Sequence, residues 1–124
     1  MVIIIKSFST MASKRNPLKL NKLQLRTLAL AQMIAANPDL SERDQKSGEV
    51  TLLHLPEPHG DHLHIGEFIV SARDASGFSN ASVWAALERK GLLRRNNPIT
   101  ATLSSDGLAY ETGLVNQLLR PSDH

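Results

Sequence analysis

Residues 71–95 read SARDASGFSNASVWAALERKGLLRR, and this stretch is the most informative part of the 124-residue chain. Ser79 or Asn80 can cap a helix, and apolar residues then recur at helical spacing until Gly91, a suitable stop. The preceding residues 66–78, GEFIVSARDASGF, predict an earlier helix that ends at Gly77. The stretch therefore predicts two helices joined by a tight turn.

Two further segments extend this pattern toward the C-terminus. Residues 92–103, LLRRNNPITATL, predict two strands joined by a tight turn. Residues 104–121, SSDGLAYETGLVNQLLRP, predict a last helix with Ser104 or Ser105 as its cap. The predicted order is thus helix, tight turn, helix, two-stranded hairpin, helix.

This order resembles the winged helix-turn-helix domain of MarR-like transcriptional regulators. ALERKGLLRR at residues 86–95 and TATLSSDGLAY at residues 100–110 carry the resemblance, which covers residues 66–110 well. It implies an α+β, mainly helical fold with a short β-hairpin wing, to which the sequence adds a histidine-containing strand pair. It also implies a DNA-binding transcriptional regulator whose partner is double-stranded DNA.

The resemblance assigns roles to the second helix of the pair and its surroundings. Val83, Trp84 and Leu87 gather on one side of the helix and are expected to be core, while another side would face the major groove. Only Arg89 on that side suits bidentate base recognition, so most binding is expected from phosphate contacts. The alternative is an ordinary solvated basic surface. The implied DNA-binding residues are Ser79, Ser82, Ala86, Arg89, Lys90, Arg73, Arg94 and Arg95.

Residues 21–37, NKLQLRTLALAQMIAAN, predict the first clear helix of the chain. Asn21 can cap it with Gln24 as a capping-box partner, and Asn37 before Pro38 can end it.

This first helix has apolar residues on two sides. Leu23, Leu30 and Ile34 share one face, whereas Leu25 and Leu28 project from the opposite one. The pattern predicts a homodimer, and the alternative is a helix packed on both sides within its own domain. It also favours a second function, a winged-helix protein-interaction module without DNA binding. The last predicted helix has two similar stripes, formed by Leu108, Val115 and Leu119 and by Leu114 and Leu118.

A histidine-rich segment, PHGDHLHIG at residues 58–66, follows a predicted strand at 50–55, and the two could form a hairpin. Imidazoles and carboxylates are ordinary ligands of zinc and other divalent metals, so a metal-responsive regulator is a third function. A solvated or hydrogen-bonded hairpin is the plainer interpretation, and pH sensing is another. The candidate ligands are His54, His59, Asp61, His62 and His64.

Composition limits the remaining classes of protein. Apolar residues make up 41% and charged residues 21% of the chain, which suits one domain, here predicted at 21–120 with a tail at 121–124. The net charge of the chain is only +2, yet six Lys and Arg residues precede the first acidic residue, Asp39. Residues 1–20 are therefore predicted to form a basic, flexible arm.

Several kinds of site are excluded or unsupported. The chain has no cysteine, which excludes disulfides and thiolate ligands. It contains no zincin, nucleophile-elbow or phosphate-loop motif, so we expect no enzymatic activity. No segment has the length of a membrane span, and the expected location is the cytoplasm.

Overall fold

The computed structural model describes residues 16–96, 100–114, 118 and 120–121. Most of the predicted N-terminal arm, the tip of the predicted wing and most of the predicted tail lie outside these residues, as do Val115 and Leu119. Three α-helices are described: α1 Lys22–Ala35, α2 Ala81–Arg89 and α3 Ser105–Ala109; a 3-10 helix, Ser76–Ser79, precedes α2. The strands are β1 Ser41–Arg43, β2 Val50–Leu52, β3 His62–Ile65, β4 Phe68–Ser71, β5 Leu93–Asn96, β6 Thr100–Leu103 and β7 Arg120–Pro121.

The strands form two antiparallel sheets with orders β1-β2-β6-β5 and β3-β4-β7. Among the described residues strands outnumber helices, so the fold is α+β as predicted, but its predicted mainly helical character is wrong. Two segments account for the error. The predicted helix at 66–77 is instead strand β4, a turn and the 3-10 helix, and the predicted last helix is interrupted, since α3 stops at Ala109 and residues 110–114 are not helical.

The strand β4 forms because its sequence suits a hairpin better than a helix. Gly66 has φ +58, which lets Gly66 and Glu67 make a two-residue turn between Ile65 and Phe68. Phe68, Ile69 and Val70 then pair with β3, where aromatic and β-branched side chains pack well. The histidine-containing strand pair is therefore β3–β4, and the predicted hairpin over 50–65 is wrong because β2 pairs with β1 and β6.

Helix α1 begins as its sequence predicts. The Asn21 side chain accepts a hydrogen bond from the Gln24 backbone N–H at 2.8 Å, and the Gln24 side chain accepts from the Asn21 N–H at 3.0 Å. This capping box satisfies two of the backbone donors that a helix start leaves unpaired. The helix ends at Ala35, before the Asn37–Pro38 step that predicts its end.

Both apolar sides of α1 are buried within the chain. Leu28 and Leu30, from opposite sides, are each 0% exposed. The helix contacts α2, the 3-10 helix and β2, and both sheets add side chains to one hydrophobic cluster with it. The two faces therefore fit the alternative of a helix packed inside its own domain, and they no longer support the homodimer prediction.

Strand β1 and its turn to β2 form from residues 38–49, which are polar and rich in turn-forming residues, whereas β2 falls within the predicted strand at 50–55. The Asp44 carboxylate accepts hydrogen bonds from the backbone N–H groups of Lys46 and Ser47 at 2.8 and 3.3 Å. These bonds hold the pKa of Asp44 below its ordinary value because they stabilise the charged carboxylate. A local side-chain turn thus joins two strands that are each three residues long.

Candidate functional site

Helix α2 is held in place by its apolar side and by one indole hydrogen bond. Trp84 and Leu87 are 6% and 0% exposed, which confirms their predicted place in the core. The Trp84 Nε1–H donates to the carbonyl of Phe78 at 2.8 Å, and the two rings stack with centroids 5.8 Å apart. The bond satisfies the indole donor while its ring is buried, so the orientation of α2 is well defined.

The outer side of α2 is narrower than the predicted reading face. Ser79, Ser82, Arg89 and Lys90 are exposed. Ala86 is only 3% exposed, so this predicted contact lies in the interior and cannot reach a ligand. Of these residues Arg89 alone carries a guanidinium group, whose planar arrangement of donors suits bidentate pairing, as the sequence predicts.

The hairpin β5–β6 follows α2 directly and carries two adjacent arginines, whose side chains point to opposite faces of the sheet because side chains alternate along a strand. Arg94 Nη1 lies 2.8 Å from Glu49 Oε1, and Arg95 Nε lies 2.7 Å from Glu88 Oε1. The arginine side chains remain 58% and 48% exposed, so each pair is open to solvent. Exposed pairs of this kind contribute about 0–1 kcal/mol, so another anion can compete for the guanidinium groups.

The Glu88–Arg95 pair also changes the titration of the carboxylate. The Arg95 side chain donates a hydrogen bond to Glu88 and holds the pKa of Glu88 below its ordinary value of 4.5. Glu88 is therefore ionised at neutral pH. Both hairpin arginines therefore have a carboxylate partner: Glu88 on α2 for Arg95, and Glu49, just before β2, for Arg94.

Arg73 lies on the turn between β4 and the 3-10 helix. It lines a surface depression with Asp61 and Asp74 rather than with hairpin residues. Asp74 Oδ1 lies 4.0 Å from Arg26 Nε on α1. The predicted phosphate contact at Arg73 is thus not brought together with Arg94 and Arg95 by the contacts described, and its surroundings are partly acidic.

An apolar cleft of about 450 Å³ lies between the start of α2 and the hairpin, and sequence reasoning missed it. Leu55, Phe78 and Trp84 supply its apolar lining, and Arg95 and Asn96 lie at its polar side. A second cleft, of about 720 Å³, shares Leu55 and Phe78 with it. The sequence hints at this cleft only in the segment LLHLPEP at 52–58, where apolar residues, including the cleft residue Leu55, come before two prolines.

Three of the predicted metal ligands meet on one side of the β3–β4 hairpin. The ring centroids of His59, His62 and His64 are 5.0–6.4 Å apart, and His62 Nδ1 lies 3.3 Å from Asp61 Oδ1. His54 instead lines the larger cleft. Within the described part of the chain, no three histidines or carboxylates are already arranged to hold a metal ion.

Comparisons with known proteins give no relative for this arrangement: no family model, curated protein or solved structure matches the chain. No helix in the described ranges combines the length and apolar character that a membrane span needs. Function must therefore be inferred from the residues themselves.

Proposed function

We propose that the chain binds double-stranded DNA, mainly through its phosphates, and acts as a transcriptional regulator. The observation that carries the proposal is the group of four exposed cations where α2 passes into β5: Arg89 and Lys90 at the end of the helix, and Arg94 and Arg95 on the strand that follows it in the chain. Exposed arginine and lysine side chains are the usual source of phosphate affinity, and Arg94 and Arg95 offer theirs from opposite faces of the sheet because side chains alternate along a strand. The cytoplasmic location expected from the sequence belongs to this proposal, since a regulator must share a compartment with DNA.

Base recognition through α2 is limited by its exposed chemistry. Ser79 and Ser82 are short, and Ala86 is buried, so Arg89 is the one side chain that can pair bidentately with a guanine. Specificity is therefore expected to be modest. The resemblance of residues 86–95 and 100–110 to MarR-like regulators supports DNA as the polyanion, because it concerns this same helix and hairpin.

The ion pairs of the hairpin determine how phosphate is bound. A DNA phosphate must replace Glu49 at Arg94 and Glu88 at Arg95, or share these guanidinium groups with them. Since both pairs are exposed and weak, the exchange costs little. The displaced carboxylates nevertheless remain near the DNA and oppose it, so we expect weak, strongly salt-dependent binding.

The test measures the binding of a random-sequence duplex by fluorescence anisotropy at several salt concentrations. Replacing Arg94 and Arg95 together by Ala should weaken binding on every sequence and reduce the slope of log affinity against log salt by nearly 2, about 0.9 for each phosphate contact. Arg89→Ala should instead relax preference at one base pair, at a cost of about 1–3 kcal/mol if its contact is bidentate.

A matched control is the double replacement of Arg43 and Lys46 by Ala. Arg43 lies on β1, the strand at the opposite edge of the same sheet from β5, and this variant loses the same charge. If both double variants reduce the slope equally, net charge and not this surface explains the binding. If the parent chain does not bind duplex DNA at low salt, the proposal is wrong.

The protein-interaction alternative now lacks the surface that the sequence suggested for it. Both apolar sides of α1 are covered by the chain's own residues, including the fully buried Leu28 and Leu30. Failure of the DNA experiment would revive this alternative, but with a different contact surface.

A further inference from the structure

The backbone of the β3–β4 hairpin holds three histidines on one outward side. Leu63 and Ile65 are 1% and 2% exposed, and because side chains alternate along a strand, His62 and His64 must point away from the core. His59 forms an isolated antiparallel bridge with His62, and its N–H donates to the His62 carbonyl at 2.6 Å. Residues paired in this way project to the same side of a sheet.

A tight turn brings His59 opposite His62. Only Gly60 and Asp61 separate the two, and Gly60 has φ +70, a conformation that glycine adopts without the strain that a side chain would add. The buried apolar residues of β3 and the pairing with β4 anchor this turn. The three Cβ positions are therefore fixed by the backbone, while the imidazole rings of His59 and His64 are exposed and free to rotate.

The ring separations approach those of a metal centre. If three imidazoles bind a tetrahedral ion through Zn–N bonds of about 2.0–2.1 Å, their centroids lie about 5 Å apart. The observed separations are 5.0 Å for His62–His64, 5.8 Å for His59–His64 and 6.4 Å for His59–His62. One pair already has the required spacing, and rotation of the exposed His59 ring can shorten the other two distances.

Asp61 supplies a feature that metal-binding histidines commonly have. Its Oδ1 lies 3.3 Å from His62 Nδ1, so a proton on Nδ1 is favoured and the lone pair remains on Nε2. A carboxylate that orients a ligating imidazole in this way is common at metal sites.

We propose that His59, His62 and His64 bind one divalent late transition metal ion of the zinc, copper and nickel class, with water completing the coordination. Neutral imidazoles suit these ions and not magnesium or calcium, which prefer oxygen ligands. The site closes when the ion binds, since the described residues hold no preformed group of three ligands. The proposal is independent of DNA binding.

The test is a calorimetric titration of the full-length, untagged and chelator-treated chain with Zn²⁺. We expect one ion per chain, and His62→Ala and His64→Ala should each weaken affinity at least about tenfold, as should His59→Ala. His54→Ala is the matched control, because His54 belongs to the same segment but lines the larger cleft. This variant should bind Zn²⁺ as tightly as the parent chain does. Asp61→Ala should cause a smaller, several-fold loss.

A second readout locates the ion without reference to affinity. On addition of Zn²⁺, imidazole resonances of His59, His62 and His64 should shift in NMR spectra while those of His54 do not. Circular dichroism of the variants should match the parent, because the replaced side chains lie on the surface. No Zn²⁺ binding at micromolar concentrations, or equal losses for His54→Ala and His62→Ala, would overturn the proposal; DNA affinity plays no part in either result.

Discussion

Leu87 is the side chain on which the position of α2 depends most directly. It is 0% exposed, and its carbonyl accepts a hydrogen bond from the Leu92 N–H at 3.1 Å, where the chain turns from α2 into β5. Truncating it leaves a cavity in the hydrophobic cluster that α2 shares with α1 and the sheets.

We predict that Leu87→Ala lowers the free energy of unfolding by about 2–5 kcal/mol, the usual range for a buried leucine. Urea denaturation followed by circular dichroism measures the change. Leu53→Ala is the control, because Leu53 is 41% exposed and its truncation should have a much smaller effect. Equal denaturation midpoints for the two variants would contradict the packing of α2 described above.

On α2, the sequence predicts the burial of the large apolar side chains correctly, but it predicts wrongly that the small side chain of Ala86 is exposed. The burial of Trp84 and Leu87 could be predicted because large apolar residues recur there at helical spacing. Ala86 was assigned to the outer side, yet it lies only about 60° around the helix from Val83, given 3.6 residues per turn. Because α2 contacts α1, the 3-10 helix and β5, its buried side is wide enough to include Ala86.

At the scale of elements, α2 and β5 are linked on the surface by Glu88 and Arg95. The pKa of Glu88 is lowered in the folded state, so its ionised form stabilises the fold. This contribution is present above the ordinary value of 4.5 and is lost as pH falls through the lower, folded-state value.

We therefore predict that the parent chain loses more stability between pH 6 and pH 3 than Glu88→Gln does. Denaturation midpoints measured across this pH range test the difference. Glu57→Gln, in the exposed loop after β2, is the control and should follow the parent. A Glu88→Gln variant with the parent's pH dependence would show that the pair does not contribute to stability.

Elements with local signals could be predicted, and elements that depend on distant partners could not. The capping box of α1, the Asn80 cap of α2 and the β5–β6 hairpin each involve residues close in the sequence. Strand β4 was mistaken for a helix although the Gly66–Glu67 turn was present in the sequence. An apolar run as short as residues 68–70 fits either a helix or a strand, and its pairing with HLHI of β3 makes it a strand.

At the scale of the molecule, the homodimer remains a prediction, and the burial of apolar side chains within the chain removes part of its support. α1 has no free apolar side, and Leu118, from one stripe of the predicted last helix, is 8% exposed and packs into the core. Val115 and Leu119 lie outside the described residues.

The prediction is tested by light scattering at tens of micromolar chain. A dimer should scatter as twice the 13.6 kDa of one chain, with a mass that falls on dilution by mass action. A mass of one chain at every concentration would contradict it. Leu53→Lys replaces the one large apolar side chain exposed among the described residues. If this variant is a monomer, the dimer contact includes Leu53; if it remains a dimer, the contact lies elsewhere.

The order β1-β2-β6-β5 has a consequence for how the chain folds. β2 and β6 are central neighbours, and the hydrogen bond between Thr51 Oγ1 and Thr102 Oγ1 spans 51 positions of sequence. Closing so long a loop costs conformational entropy before any contact repays it, whereas α1 and the hairpins can form from neighbouring residues within microseconds. The β2–β6 ladder is thus expected to assemble late, and the rate of folding should depend on the joining of these two distant segments.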